Sequence, residues 1–346
     1  MKHIKTTIFS LVVVIALICS LTGTAIAQSS QEITEVCDFN YTISEPYTYP
    51  VVPGTDEWYA IDTHQEMIDV CQIPEDILEK MTTEALVESV LAYPLMIDML
   101  MWNNLGTGIE KVKSYFNGLD ELLSREDACV YLGNYLASSQ QNVNNRRSTP
   151  DERNQLRYAT ILYNNLNGPI GGISPNSTTI TYVYTPDNQR VKCYKNLTYT
   201  ELNQLFDYDV PFTERDLDDY EKTLEDTYPR AERISSRNPS YNCHSYAFYS
   251  QSTSNNVWLL EIDPYFEESY RTLGSGEMDD AARGDIVLYI VDRSSGIIGH
   301  SARITDPDLD NLTVKSKWDF MGVYEHPADY CPYAEDIDGL MIAQRT

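Results

Sequence analysis

Residues 283–305 read RGDIVLYIVDRSSGIIGHSARIT, and this stretch decides the fold class. Two runs rich in β-branched and aromatic residues, Asp285–Val291 and Ile298–Thr305, flank a polar segment and predict two neighbouring strands. A third run, Leu312–Trp318, predicts another strand, and a short helix is expected to begin upstream at Cys243. A helix followed by an antiparallel sheet predicts an α+β arrangement for the C-terminal part of the chain.

The sequence before residue 229 is mainly helical. Between Pro74 and Ser139, apolar residues recur every three or four positions, which predicts several short helices. Thr149-Pro150-Asp151-Glu152 combines a capping threonine, a proline in the first turn and a glutamate three positions after the cap, and predicts a helix that ends near Leu166. Further predictions are a loop at Gln140–Ser148, a hairpin of Ile180–Tyr184 with Arg190–Tyr194, and an acidic helix that begins at Thr213 and ends before Pro229.

The first 27 residues are typical of an export signal. Lys2 and Lys5 precede the apolar run Ile8–Leu21, and Ala25-Ile26-Ala27 matches a cleavage site. The run is shorter than the roughly 20 residues that a spanning helix needs, so we expect cleavage and no stable membrane anchor. The sequence therefore predicts a secreted protein, extracellular or associated with the cell wall. The predicted organisation is a signal peptide (1–27), an extended leader (28–60), a helical domain (61–175), a connector of hairpin and acidic helix (176–228) and a helix-plus-sheet domain (229–346).

The chain carries 25 Lys and Arg against 52 Asp and Glu, a formal net charge of −27. Nucleic acid and anionic membrane surfaces are poor partners for such an acidic chain. The dense acidic stretch Glu201–Asp226 is typical of a solvated helix face.

Six cysteines remain after removal of the signal peptide. Export permits disulfides, and an even number is compatible with three of them, although spacing does not give the connectivity. If one cysteine is a working thiol, at least one other must stay free or pair between chains. The six are Cys37, Cys71, Cys129, Cys193, Cys243 and Cys331.

Cys243 and His300 are the residues with the clearest chemical potential. Cys243 opens the segment CHSYAFY, which contains no helix breaker, and a thiol at a helix N-terminus faces unpaired N–H groups that favour thiolate. His300 lies at the start of a predicted strand, and a rigid strand can hold an imidazole against a thiol, as nucleophilic acyl transfer requires. Either residue taken alone also fits an ordinary core position.

Three segments together, NCHSYA at 242–247, GDIVLY at 284–289 and GHS at 299–301, resemble the papain-like NlpC/P60 and CHAP group of cell-wall cysteine hydrolases. In that group a nucleophilic cysteine begins a helix, a Gly-Asp and apolar strand follows, and the general-base histidine starts the next strand. The resemblance covers residues 228–346. It implies a papain-like helix-plus-sheet domain, a cysteine peptidase or amidase activity, and peptidoglycan stem peptides as the amide substrate. The sequence departs from the family where Asn242 precedes the cysteine and His244 follows it, and we expect His244 to point elsewhere on the helix.

The third catalytic residue depends on the register of the last predicted hairpin. If Ile298–Thr305 pairs with Leu312–Trp318, the residue opposite His300 is Ser316 or Lys317. Ser316 can orient an imidazole, whereas a protonated lysine cannot accept a hydrogen bond, so Ser316 is the candidate. Asp319 or a backbone carbonyl is the alternative. The oxyanion is expected to contact the backbone N–H of Cys243, with Asn242 or Tyr241 as further candidates.

Neither a metal nor another cofactor is predicted. The loop Asp306–Asn311 alternates acidic residues like a calcium loop, but it lacks glycine at the sixth position and glutamate at the twelfth, and we expect a hairpin turn. His326 and Cys331 have no second pair of zinc ligands nearby.

Three alternatives to hydrolysis by an open site remain. Amide transfer or deamidation would use the same cysteine and histidine. A secreted binding protein with the same fold and an idle site would keep Cys243 as an ordinary buried thiol. In a third alternative the helical part covers the cleft, and removing residues 28 to about 175 would then raise activity.

Overall fold

The computed structural model describes residues 41–102, 104–143, 148–167, 179–205, 212–292, 296–334 and 341–346. Residues 43–346 group into one unit and residues 1–42 into another, of which only Tyr41 and Thr42 are described. The predicted signal peptide, Cys19 and Cys37 lie outside the described residues. Within the described ranges, no helix is long and apolar enough to cross a membrane.

Side-chain caps begin several of the helices where the sequence predicts them. Thr149 accepts the Glu152 backbone N–H, and the Glu152 carboxylate accepts the Thr149 N–H, which confirms the predicted start of that helix. Thr213 forms the same reciprocal cap with Asp216. The polar stretch predicted as a loop from Gln140 is instead helical up to Val143. The helices are Asp56–Tyr59, His64–Val70, Glu75–Leu78, Thr83–Leu91, Leu105–Tyr115, Asn117–Ser124, Ala128–Val143, Pro150–Leu166, Tyr199–Leu205, Glu214–Thr227 and Tyr265–Glu268, with 3-10 turns at Met96–Met101, Met278–Asp280 and Leu309–Asn311 and a π-helical turn at Ser245–Tyr249.

The strands form two antiparallel sheets, so the fold mixes helices and sheets as the sequence predicts. One sheet has the order β1-β2-β4 and contains the predicted hairpin; the other has the order β3-β9-β8-β7-β6-β10-β5. The three predicted C-terminal strands are β6, β7 and β8, which are neighbours in the larger sheet. The strands are β1 Thr181–Tyr184, β2 Arg190–Lys195, β3 Glu232–Arg233, β4 Val257–Leu259, β5 Tyr270–Thr272, β6 Ile286–Asp292, β7 Ile297–Asp306, β8 Thr313–Lys317, β9 Val323–Pro327 and β10 Met341–Arg345.

The two faces of the larger sheet contact different parts of the molecule. Alternate side chains of a strand point to opposite faces. Val287 and Tyr289 of β6 belong to a large apolar core that they share with the helical region. Ile286 and Leu288 belong to a second core, together with Phe248 of the π-helical turn and residues of the smaller sheet. The helical region therefore packs on the face of the sheet opposite to the turn that follows Cys243.

The described part of the predicted leader lies along the helical region, and its last residues form the short helix Asp56–Tyr59 instead of an extended segment. Ile43 forms a parallel bridge with Met81. Tyr49 is buried, and its hydroxyl donates to the carbonyl of Ser89 at 3.0 Å. These contacts fix an otherwise irregular segment on the helices.

A buried polar network ties distant parts of the chain to this core. His64 and Asp98 are both fully buried, with His64 Nε2 2.9 Å from Asp98 Oδ2. His64 Nδ1 lies 2.7 Å from the carbonyl oxygen of Ala334. Tyr228 and Tyr115 donate their hydroxyls to the same carboxylate at 2.6 and 3.1 Å. The carboxylate thus has three partners from three separate segments, which offsets the cost of burying it.

Candidate functional site

Asn242 positions Cys243 at the beginning of the π-helical turn. Its Oδ1 accepts the backbone N–H groups of Ser245 and Leu259 at 3.1 and 3.2 Å. Its Nδ2 donates to the carbonyl of Leu259 at 2.9 Å, and the side chain is fully buried. These bonds join the turn to β4. They give the Asn242 side chain a positioning role in this structure.

The Cys243 thiol is only 2% exposed. Burial raises its pKa to about 12, although hydrogen bonds from the backbone N–H groups of Ser301 and His244 and the nearby Lys317 ammonium act in the opposite direction. The His244 N–H is a donor at the start of the helical turn, whereas the Ser301 N–H belongs to β7, and the cost of desolvating a thiolate exceeds the effect of both. Cys243 is a protonated thiol at neutral pH.

His300 lies in a different environment from Cys243. Its ring stacks on Tyr333 with 3.6 Å between centroids, and it is 5.3 Å from the ring of Tyr289. Its Nε2 is buried and has no hydrogen-bond partner within the described residues. Burial lowers the pKa of His300 well below its usual value, and His244 and His326 lower it further. The imidazole is neutral and belongs to the face that the helical region covers.

The residue after His300 points to the Cys243 side of the sheet. Ser301 Oγ lies 2.9 Å from Nδ1 of His244, which directly follows Cys243. Because neighbouring side chains of a strand point to opposite faces, Ser301 and His300 cannot both face Cys243. Among the described residues, no hydrogen bond joins Cys243 to His300. The predicted pair of Cys243 and His300 is therefore not assembled in this structure.

The observed register separates Ser316 from His300. Arg303 pairs with Lys315 across β7 and β8, and continuing this register places Ser316 opposite Ala302. Ser316 is buried, and its Oγ lies 2.9 Å from Nε2 of His326. The hydrogen bond that the sequence predicts between Ser316 and His300 is thus made with His326.

His244 is more closely integrated than the sequence indicates. It is 7% exposed and bonded to Ser301, and burial lowers its pKa to about 4. The side chain is a neutral imidazole at physiological pH. The buried hydroxyl of Ser301 anchors it to β7.

Lys317 is a site residue that sequence reasoning set aside. It is fully buried; its Nζ donates to the carbonyl of Asp319 at 2.5 Å and lies 4.9 Å from the ring centroid of Tyr241. Burial lowers its pKa to about 7, while Asp319 and Cys243 act in the opposite direction. Lysine is almost never fully buried without a partner. The strand reads TVKSK and also contains the partly exposed Lys315, so the local sequence gives no signal that Lys317 is buried.

A buried polar cluster surrounds the thiol, and we call it the Cys243 cluster. Each member is less than a tenth exposed, so a substrate reaches the sulfur only if a neighbouring segment moves. The cluster combines a nucleophile, a neutral imidazole, a hydroxyl and an amine in one apolar setting. Its members are Tyr241, Cys243, His244, Ser301 and Lys317.

The described cysteines and acidic residues form no further chemical centre. Cys71, Cys129, Cys193, Cys243 and Cys331 are all free thiols, so three disulfides among the six cysteines are not formed. Within the ranges that the structure describes, no group of His, Cys, Asp or Glu side chains is arranged to hold a metal ion.

Comparison with protein-family models, with curated proteins and with solved structures found no match. The resemblance to NlpC/P60 and CHAP hydrolases therefore rests on the order and spacing of the C-terminal segments.

Proposed function

We propose that the protein is a secreted cysteine hydrolase with a papain-like C-terminal part, which cleaves an amide bond in peptidoglycan stem peptides. The observation that carries the proposal is the setting of Cys243. Cys243 begins a helical turn, and its sulfur accepts hydrogen bonds from two backbone N–H groups. The ammonium of the buried Lys317 lowers the pKa of this thiol. Such donors stabilise negative charge that develops on sulfur during attack.

The reaction would proceed through an acyl-thioenzyme. The Cys243 sulfur attacks the amide carbonyl as its proton passes to a base, and the backbone N–H of Cys243 stabilises the oxyanion. The C–N bond then breaks, and the amine leaves with the proton. Water hydrolyses the thioester, which releases the carboxylic acid and restores the thiol.

The resting thiol does not need to be ionised for this chemistry. A nucleophile of high pKa reacts when a base removes its proton in the transition state, and the best base has a pKa near the working pH. The substrate class is supported by the predicted export signal and by the resemblance to wall hydrolases.

A second candidate is a secreted binding protein with an idle site. It is favoured by the protonated thiol of Cys243 and by the position of His300 on the other face of the sheet. In this case the protein would bind wall fragments without cleaving them.

Digestion of purified peptidoglycan distinguishes the two. The protein without residues 1–27 should release fragments with new amine and carboxyl ends, detected by mass spectrometry. Cys243→Ala should abolish release, whereas Cys129→Ala should not, because Cys129 is partly exposed and, within the described residues, its thiol bonds only Asn167. Equal release by Cys243→Ala would contradict the proposal. Binding to the wall without any release would favour the second candidate.

A further inference from the structure

We infer that Lys317, and not His300, takes the proton from Cys243 and returns it to the leaving amine. The inference rests on the proposed function, because it presupposes that Cys243 is the nucleophile. It assigns the base role to a residue on the same face of the sheet as the thiol.

Strand register places Lys317 beside Cys243. Arg303 pairs with Lys315, so continuing the ladder by one further step of two residues sets Lys317 opposite Ser301. The backbone N–H of Ser301 bonds the Cys243 sulfur. Lys317 and the thiol therefore both lie near Ser301 of β7, and each acts on the pKa of the other. Among the described residues no hydrogen bond joins them, so the two side chains must approach each other for the proton to pass.

A second contact fixes the amine on the Cys243 side. Lys317 Nζ lies 4.9 Å from the ring centroid of Tyr241, which is two residues before Cys243. The other groups that act on Lys317 are Cys243 itself and Asp319, whose carbonyl accepts its hydrogen bond at 2.5 Å. His244 is neutral and bonded to Ser301. Among these groups the Lys317 ammonium is the cation, and its counter-charge is either the Asp319 carboxylate or the ionised Cys243 sulfur.

The chemistry of a buried amine suits the role. An ammonium group is unfavourable in an apolar site, and burial brings the pKa of Lys317 to about 7. A large share of Lys317 is then free amine near neutral pH, and the amine has a lone pair that can accept a proton. The thiol proton moves to Lys317 as the S–C bond forms, and the resulting ammonium protonates the leaving nitrogen as the C–N bond breaks. Lys317 then accepts a proton from the water that hydrolyses the thioester and returns it to the sulfur.

Coupling of the two groups has a signature that needs no substrate. When the pair loses its first proton, a fixed fraction of molecules holds thiolate beside ammonium, and this form is the one alkylated near neutral pH. Thiolate beside free amine forms only as the second proton is lost at higher pH. The alkylation rate of Cys243 should therefore rise with pH and level off, with a midpoint near the pKa of about 7 that Lys317 has. A lone buried thiol would instead gain roughly tenfold in rate per pH unit with no plateau.

The experiment follows iodoacetamide alkylation of Cys243 by peptide mass spectrometry from about pH 5.5 to about 9.5. The variants are Lys317→Met, which removes the amine, and Lys317→Arg, whose guanidinium stays protonated. His300→Ala tests the predicted histidine. Lys315→Met is the matched control, because Lys315 is on the same strand but pairs with Glu325 at 3.2 Å near the surface.

We expect the wild type, His300→Ala and Lys315→Met to share the plateau, and both Lys317 variants to lose it. If Lys317→Met fails to fold, Lys317→Arg decides the same question. Loss of the plateau in His300→Ala and its retention in the Lys317 variants would overturn the inference and leave the proposed function standing. A wild type without any plateau would also overturn it, and the digestion by wild type and Cys243→Ala would still decide the proposed function separately.

Discussion

Lys317 is held in a site that disfavours its charge. Its side chain is fully buried, and the ammonium form is stabilised by the carbonyl of Asp319, by the ring of Tyr241 and by the charges of Asp319 and Cys243. A cation over an aromatic ring gains about 0.5–2 kcal/mol, which is less than the cost of removing an ammonium from water. The lowered pKa of Lys317 follows from this imbalance, and so does its fitness as a base.

The same imbalance makes stability depend on pH. Lys317 has a pKa of about 7 in the folded chain and 10.5 as its reference value. Between these values the unfolded state binds more protons, so the contribution of Lys317 to stability rises with pH through this window and is flat below it. Lys317→Met should therefore be more stable than wild type at about pH 6.5, and its advantage should shrink by roughly 3 kcal/mol by about pH 9.5.

Urea unfolding of both proteins at the two pH values measures this difference, in which the titration of other groups cancels. Lys315→Met should show no such trend, since its side chain is partly solvated. A stability difference for Lys317→Met that does not change with pH would show that Lys317 keeps an ordinary pKa.

At the scale of elements, the turn that carries Cys243 depends on one side chain. Asn242→Ala removes three hydrogen bonds. The backbone N–H and carbonyl of Leu259 then each lose a hydrogen-bond partner inside the core. We expect a loss of about 2–3 kcal/mol in the free energy of unfolding, measured by urea denaturation. Asn256→Ala is the control, because Asn256 is exposed and bonds only Asn196, and it should cost less than about 0.5 kcal/mol. Equal effects of the two variants would contradict the role of Asn242.

The local signals in the sequence predicted elements well and their relative placement less well. The caps at Thr149 and Thr213 and the apolar runs of β6 to β8 depend on neighbouring residues, so they are visible in the sequence. The short strands β3, β4, β5, β9 and β10 were missed because they are defined by their partners.

The sequence predicted the local features of the candidate site but not how its residues face one another. Cys243 begins a helical turn as expected, but whether His300 or Ser301 faces it depends on one residue of strand phase. Helix and strand patterns did not fix that phase, because both faces of the sheet are covered. Lys317 was rejected as a partner of His300 because a protonated lysine cannot accept a hydrogen bond. Its burial, which favours the neutral amine, is visible only in the structure.

At the scale of the molecule, the helical region is part of the folding unit. Its core includes Val287, Tyr289 and Ile342 of the larger sheet. The described helices before residue 176 share the core on the opposite face of the sheet from Cys243, so we expect that removing them would not open the site. Deleting residues 28–175 should expose this apolar face and abolish folding, which circular dichroism and size-exclusion chromatography would detect. A soluble, folded fragment with higher activity would contradict this view.

The buried His64–Asp98 network should also contribute strongly to the stability of the whole fold. Asp98→Ala leaves the buried imidazole of His64 and the hydroxyl of Tyr228 without their shared acceptor. We expect a loss of about 3–5 kcal/mol in stability, measured by chemical denaturation. Asp120→Ala is the control, since Asp120 is largely exposed and its ion pair with Lys113 is long, at 3.9 Å. It should change stability by less than about 0.5 kcal/mol. A loss below about 1 kcal/mol for Asp98→Ala would show that the network is dispensable.

A comparison of the cysteines within one protein tests whether Cys243 is a nucleophile. Cys71, Cys193 and Cys331 are as buried as Cys243, and burial raises the pKa of Cys71 and Cys331 to about 12 as well. The four thiols differ in that Cys243 lies in the polar cluster with Lys317. Alkylation of the native protein at about pH 8, followed by mass spectrometry of each cysteine peptide, should show Cys243 reacting at least about tenfold faster than the other three. If Cys243 reacts as slowly as they do, it is an ordinary buried thiol and not the nucleophile of a hydrolase.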